Sequence, residues 1–184
     1  YDPSVGFRKS EKNFEGYTIQ KVETSNSIKY TLSNLQAQKR EPYGLSPDEY
    51  FPKVFFALNH FYLKGYEGTA STWKELGEWF YEKLYKSQTE LSPETVTKIK
   101  QLTANAATDE EKARIVYQYV QDKTRYVSIQ LGIGGWQPML AKDVDRLGYG
   151  DCKALTNYTY SMLKAVGVTS YHTVIQSDIY KYDF

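Results

Sequence analysis

Two hydrophobic periods divide the chain. From Gly16 to Glu23 the side chains alternate, with Tyr17, Ile19 and Lys21 on one side and Thr18, Gln20 and Val22 on the other. Ser27 to Leu32 alternates in the same way, and the turn-like Thr24-Ser25-Asn26 between them predicts a β-hairpin. Pro52 opens a short apolar run, Lys53 to Leu58, that reads as a further strand. Residues 1–14 are polar without a period and predict an extended or irregular lead-in. Leu35 to Tyr43 is polar up to Glu41-Pro42, and Ser46-Pro47 punctuates again. The first third therefore reads as β-rich.

Composition shifts at Gly65–Gly68, which places a soft boundary there: a β-rich segment over 1–65 and a second domain over 66–184. Beyond it the period becomes helical. Thr72 with Glu75 has the spacing of a capping box, and Trp73, Leu76, Phe80 and Leu84 recur at helical intervals. Trp73 and Trp79 are read as core or face-packing residues. Ser92-Pro93-Glu94 starts a second helix, with Val96, Ile99 and Leu102 as its stripe. Thr108 with Glu111 starts a third, carrying Ala113, Val116 and Val120 and ending near Lys123-Thr124. A strand over Arg125–Leu131, a glycine-rich loop over 132–138, and loop with short helix over 139–147 follow. The run from Ala154 to Val166 is helical and stops at Gly167; Thr169–Gln176 reads as a strand.

Composition excludes several classes. Net charge is +1, from 23 basic and 22 acidic residues, so no electrostatic footprint for nucleic acid exists. A single cysteine excludes an internal disulfide and a cysteine-rich zinc site, and two histidines, His60 and His172, leave little for any metal; no cofactor is expected. No run is long enough to span a membrane. The chain opens on Tyr1-Asp2-Pro3 without a signal peptide, so it is expected to be a fragment or a mature form. The 18 tyrosines suit strands and sugar- or peptide-facing clefts, and, as the favoured reading, a core built with Tyr in place of Phe.

The one cysteine stands where a loop becomes a helix, in Gly148-Tyr149-Gly150-Asp151-Cys152-Lys153. The glycines permit a tight turn and a close approach, and Asp151 is a natural N-cap. Unpaired N–H groups and the positive end of the helix dipole both stabilise a thiolate and a developing oxyanion. Asp151 reads as a cap rather than a catalytic acid, since a carboxylate beside a thiolate raises its pKa; Lys153 offsets that charge. The competing reading makes Cys152 a small buried packing residue.

The order of helix, strand, glycine-rich loop, cysteine on a helix start, then strand resembles a papain-like or transglutaminase-like core. The stretch Tyr117 to Gln130, followed by Leu131-Gly132-Ile133-Gly134-Gly135-Trp136-Gln137-Pro138, together with Gly148 to Leu155, resembles the bacterial transglutaminase-like family. The resemblance covers about residues 70–176. Tyr30 to Leu35 and Glu41-Pro42-Tyr43 are similar to the tail of the β domain of unknown function that precedes this domain in one subgroup of cell-envelope proteins. The resemblance implies an α+β fold: a β-rich N-terminal piece, then helices packed on an antiparallel sheet, incomplete at its C-terminus.

It further implies that Cys152 is a nucleophile attacking peptide or glycopeptide amides through a thioester, with water giving hydrolysis and an amine giving transamidation. The Cys152 N–H would be one oxyanion donor; Trp136, Gln137, Tyr149 and Asp151 are cleft or second-donor candidates, with loop packing over the core as the alternative for Gly134-Gly135-Trp136. The family's histidine base lies on a strand beyond the one after the cysteine helix, and its acid further on. His172, twenty residues after Cys152, is the available base here, against a plain strand histidine. No robust acyl transfer is therefore expected of this chain alone. A periplasmic or envelope location follows from the resemblance only. Two other classes stay open: a non-catalytic envelope binding or scaffold module, and a structural unit with a sealed thiol.

Overall fold

The computed structural model describes residues 1–39 and 41–175. The backbone divides into two units. One holds Tyr1–Leu63 and Glu67–Glu75; the other holds Lys64–Tyr66 and runs on from Leu76. The fold is of the α+β class.

The N-terminal unit is made of paired ribbons. Strand β1 (Phe7–Lys12) runs antiparallel to β4 (Lys53–Leu58), in a register from Phe7 opposite Leu58 to Lys12 opposite Lys53. The expected hairpin is β2 (Ile19–Glu23) with β3 (Ile28–Leu32), closed by the Thr24 N–H donating to the Ser27 carbonyl at 2.9 Å. A short helix, α1 (Pro47–Tyr50), leads into β4. β5 (His60–Leu63) pairs with β6 (Tyr66–Thr69) across Lys64 and Gly65, whose φ values of 48° and 100° suit a tight hairpin turn.

Of the extended or irregular lead-in expected over residues 1–14, the extended alternative holds at Phe7–Lys12, which β1 occupies. Its sequence, FRKSEK, has no apolar period to read. The strand exists through its ladder to a partner some fifty residues away in sequence, which no local pattern announces.

The C-terminal unit owns the core. Its helices are α2 (Trp73–Trp79), α3 (Pro93–Leu102), α4 (Asp109–Lys123), α5 (Ala141–Leu147) and α6 (Cys152–Ala165), of which α2 begins in the N-terminal unit. Ser92 caps α3 through the Thr95 N–H, and the Thr108/Glu111 capping box opens α4. Ile99, Val116, Val120, Ala141, Val144, Ala154, Tyr158 and Met162 form one buried cluster drawn from α3, α4, α5 and α6.

A polar pin crosses the same four helices. Asp145 of α5 accepts from Thr95 Oγ1 of α3 at 2.8 Å and from Tyr158 of α6 at 2.5 Å, and pairs with Lys123 of α4. Burial raises the Asp145 pKa, but the hydrogen bonds from Lys123, Tyr158 and Thr95 outweigh it and hold the carboxyl below its ordinary value. Burial, then the bond to Asp145, pushes the Tyr158 phenol strongly upward.

Several local expectations shift. Trp79 and Leu84 are buried, whereas Trp73 is 74% exposed. After α2 the chain widens into one π-helical stretch, Phe80–Tyr85, which rotates the stripe away from i, i+4 spacing. Of the stripe expected on α3, Ile99 is buried, but Val96 is only half-buried and Leu102 is exposed; Thr95, drawn in by Asp145, and the C-cap Thr103 take the inward places. The strand over Arg125–Leu131 shrinks to β7 (Arg125–Tyr126), which pairs in parallel with β8 (Tyr149–Gly150). The ladder stops there because β8 ends where Asp151 turns into the cap of α6. In place of the expected antiparallel sheet, this two-residue parallel ladder is what the described part of the unit carries. Residues 169–175 form no strand; Gln176, the last residue of that expected strand, lies outside the described residues.

Candidate active site

The start of α6 is built from side-chain constraints that leave the thiol outside. Asp151 Oδ1 accepts from the Ala154 N–H at 2.9 Å, and Oδ2 pairs with Lys153 Nζ at 2.5 Å. Both charges are largely buried, with side-chain exposures of 4% and 15%, so each neutralises the other where solvent does not. Asp151 is thus a cap and ion-pair partner. Cys152 is the first residue of the helix, free and exposed, which excludes a sealed packing thiol. The N–H groups of Cys152 and Lys153 fall before the helix's own ladder begins.

Two glycines make this close approach. A Cβ on Gly150 would lie 2.8 Å from the Ala154 Cβ, so any side chain there forces α6 to move. Gly148 closes α5 at φ 68°, and a Cβ there would meet the Lys123 carbonyl at 3.3 Å. Between them, β8 is held to the 125–127 segment: the Arg125 N–H donates to the Gly148 carbonyl at 3.1 Å and the Val127 N–H to Gly150 at 3.0 Å. At its far end α6 closes at Gly167, φ 81°, with the Val168 N–H bonded to the Leu163 carbonyl at 2.9 Å.

An aromatic cluster neighbours the thiol. Burial raises the Tyr85 hydroxyl pKa, and smaller electrostatic contributions from Cys152 and Asp151 add to the shift, so the Tyr85 hydroxyl is near the start of α6. The Tyr85 ring sits 4.7 Å from that of His172, and Tyr160 lies on His172 at 4.2 Å. Tyr81 hydrogen-bonds Tyr160 and raises its pKa. His172 Nε2 is enclosed and has no hydrogen-bond partner, so no such bond joins it to Cys152. Burial pushes the His172 pKa down from 6.5, which keeps the ring neutral at pH 7.

The loop candidates divide. The backbone N–H groups of Trp136 and Gln137 both donate to the Ile133 carbonyl at 2.8 Å, closing the 3-10 turn Gly132–Gly135, so neither is free for an oxyanion. The Trp136 ring is 47% exposed and 6.1 Å from that of Phe80. Gln137 and Asp151 line a cavity of about 230 Å³ beside the helix start. Tyr149 is half-buried in β8. His60 is exposed on β5 in the N-terminal unit. Among the described residues no three His, Cys, Asp or Glu side chains gather as a metal site, and no helix is long and apolar enough to cross a membrane.

Sequence reasoning missed the Tyr85–His172–Tyr160 stack and the Asp145 pin. A signal existed for the first in the i, i+4 pair Tyr81 and Tyr85, which the aromatic-rich stretch obscured.

No curated protein sequence matches the chain. The crystal structure of a candidate protease from Parabacteroides distasonis shares the fold, with a TM-score of 0.54 and 19% identity over 88% of this chain. The chain spans 30% of that structure's length. Residues 96–173, which include α4, the glycine-rich loop, the capped start of α6 and His172, match the model of the transglutaminase-like superfamily. Over that segment the chain is similar to the transglutaminase-like superfamily.

Proposed function

We infer that the C-terminal unit supplies the nucleophile for cysteine-dependent acyl transfer, taking the acyl group of a peptide or glycopeptide amide onto Cys152, with robust turnover not expected of this chain alone. The observation that carries this reading is the exposed thiol at the first position of α6, beside a carboxylate already neutralised by Lys153. In the step, Cys152 Sγ bonds to the carbonyl carbon, the bond to the leaving amine breaks, and the amine departs with the proton that the thiol gives up. The oxyanion is met by N–H groups at the helix start. Water then hydrolyses the thioester, or a second amine takes the acyl group. A place in the cell envelope is part of the same proposal and is supported by the family resemblance.

The test uses an activated acyl donor, so that a weak leaving group does not mask the nucleophile. Incubation with p-nitrophenyl acetate should release p-nitrophenol and add one acetyl group to the protein by intact mass, and Cys152→Ala should abolish both. An unmodified wild-type protein, or equal acetylation of the variant, removes Cys152 from the reading and favours a binding module that kept the fold.

A further inference from the structure

We propose that His172 is an acid-released latch: as a neutral ring it fastens the segment following α6 onto Tyr85 and Tyr160, and its protonation lets that segment go. The chain leaves α6 at Gly167, φ 81°, and turns back, for the His172 ring lies 4.2 Å from that of Tyr160, a residue of the helix it has just left. Val168, Ser170 and His172 are half-buried while Thr169, Tyr171 and Thr173 are exposed, the alternation of an extended chain. Among the described residues no strand pairs with this segment, and Tyr171, Val174 and Ile175 face solvent. The ring contacts of His172 are therefore a main part of its attachment.

Those contacts distinguish the two charge states. His172 Nε2 is enclosed and has no hydrogen-bond partner. In a neutral imidazole that nitrogen can stand as a bare acceptor. In the imidazolium both nitrogens carry N–H, and an enclosed, charged N–H without an acceptor costs far more than a bare lone pair. The titratable groups packed on the ring are the phenols of Tyr85, from the π-helical stretch, and Tyr160, from α6, with Tyr81 hydrogen-bonded to Tyr160. Phenols supply no anion below pH 8 to meet the imidazolium. Asp151, which acts electrostatically on Tyr85, is already paired with Lys153, and Cys152 makes no hydrogen bond to Nε2. Burial lowers the His172 pKa from 6.5, in the same direction. The hold is thus full above pH 6.5 and weakens as pH falls below it, by up to about tenfold over the first unit.

The release is local. Tyr160 stands two residues beyond the fully enclosed Tyr158, about 200° round α6, so letting His172 go leaves the core cluster of that helix in place.

The experiment is a proton NMR titration of the wild-type chain from about pH 8 to about pH 5, across the range in which histidine charges. The chain has two histidines, and His60→Gln assigns their ring resonances. At the alkaline end, nuclear Overhauser contacts should join the His172 ring to Tyr85 and Tyr160. The His172 midpoint should lie below 6.5, and those contacts should fade along the same titration, while contacts among the Val116, Val144 and Met162 methyls persist. His172→Phe should keep its ring contacts over the whole range. Contacts that persist on the protonated ring, or a midpoint at or above 6.5, mean that the phenols hold the imidazolium and overturn the latch. Loss of the core methyl contacts along with those of His172, or a His172 ring without its contacts at the alkaline end, overturns it as well.

Discussion

The two units reach order by different physics. In the N-terminal unit every hydrophobic side chain described is at least partly exposed, Phe56 at 55% and Tyr62 at 74%, and the strands are held by ladders and by surface charge. Lys9 pairs with Glu23 at 2.9 Å, Lys21 with Glu11 at 2.8 Å, and the Tyr30 hydroxyl donates to Glu11 at 2.6 Å. In the C-terminal unit Ile99, Val116, Val144, Tyr158 and Met162 are fully enclosed and the central charges are hydrogen-bonded. A ribbon with both faces wet gains little from the hydrophobic effect, whereas four helices sharing one interior gain most of their stability from it. The difference teaches where the chemistry is affordable: the buried Asp151–Lys153 pair and the uncovered thiol need a rigid helix start, and only the C-terminal unit supplies one.

The contrast breaks most visibly on truncation of one apolar residue in each unit. Ile99→Ala should destabilise helical unfolding by about 2–5 kcal/mol through transfer loss and cavity formation. Phe56→Ala, at an exposed position, should change it by about 0.5 kcal/mol or less. Chemical denaturation followed by far-UV circular dichroism measures both, and comparable losses would mean that the N-terminal ribbons share a core with the helices.

Removing the pin comes next. Asp145→Ala leaves Lys123 and Tyr158 without their shared acceptor and should cost about 3 kcal/mol. In contrast, Lys21→Ala in the surface ladder should leave the helical melt unchanged. The same pin sets a pH dependence. The folded Asp145 pKa lies below its ordinary 3.8, so its contribution is full above pH 3.8 and is lost as pH falls through the lower folded value. Asp145→Asn should flatten that part of the stability profile.

The smallest expected effect concerns His172, whose ring is in tilted contact with two phenols, with Nε2 enclosed. His172→Phe preserves the stack. We expect p-nitrophenyl acetate turnover to stay within about threefold, whereas loss of a general base costs about 10²–10⁴. A fall of that size would make His172 the proton acceptor for Cys152. Its lowered pKa adds a stability signature: the wild type should lose stability as pH falls below 6.5, and His172→Phe should remove that loss.

Elements with a local cause were legible in the chain. The β2–β3 hairpin, the Ser92 cap, the Thr108/Glu111 box, the Asp151 cap and the Gly167 stop each depend on residues a few positions apart, and each stands as read. Elements made by distant partners were not. Strand β1 is set by β4, β7 ends where β8 ends, and Thr95 turns inward toward a carboxylate fifty positions away.

The candidate site divides along the same line. The sequence by itself determined that the lone cysteine begins a capped helix after a glycine turn, because capping, backbone freedom and helical period are properties of neighbouring residues. Only the tertiary structure decided that the thiol stays exposed, that Lys153 neutralises Asp151, that Tyr85 and Tyr160 enclose His172, and that an apolar cavity opens beside Ala154. Burial, pairing and cavity shape depend on which surfaces meet, and that is fixed when separate elements pack together rather than along the chain.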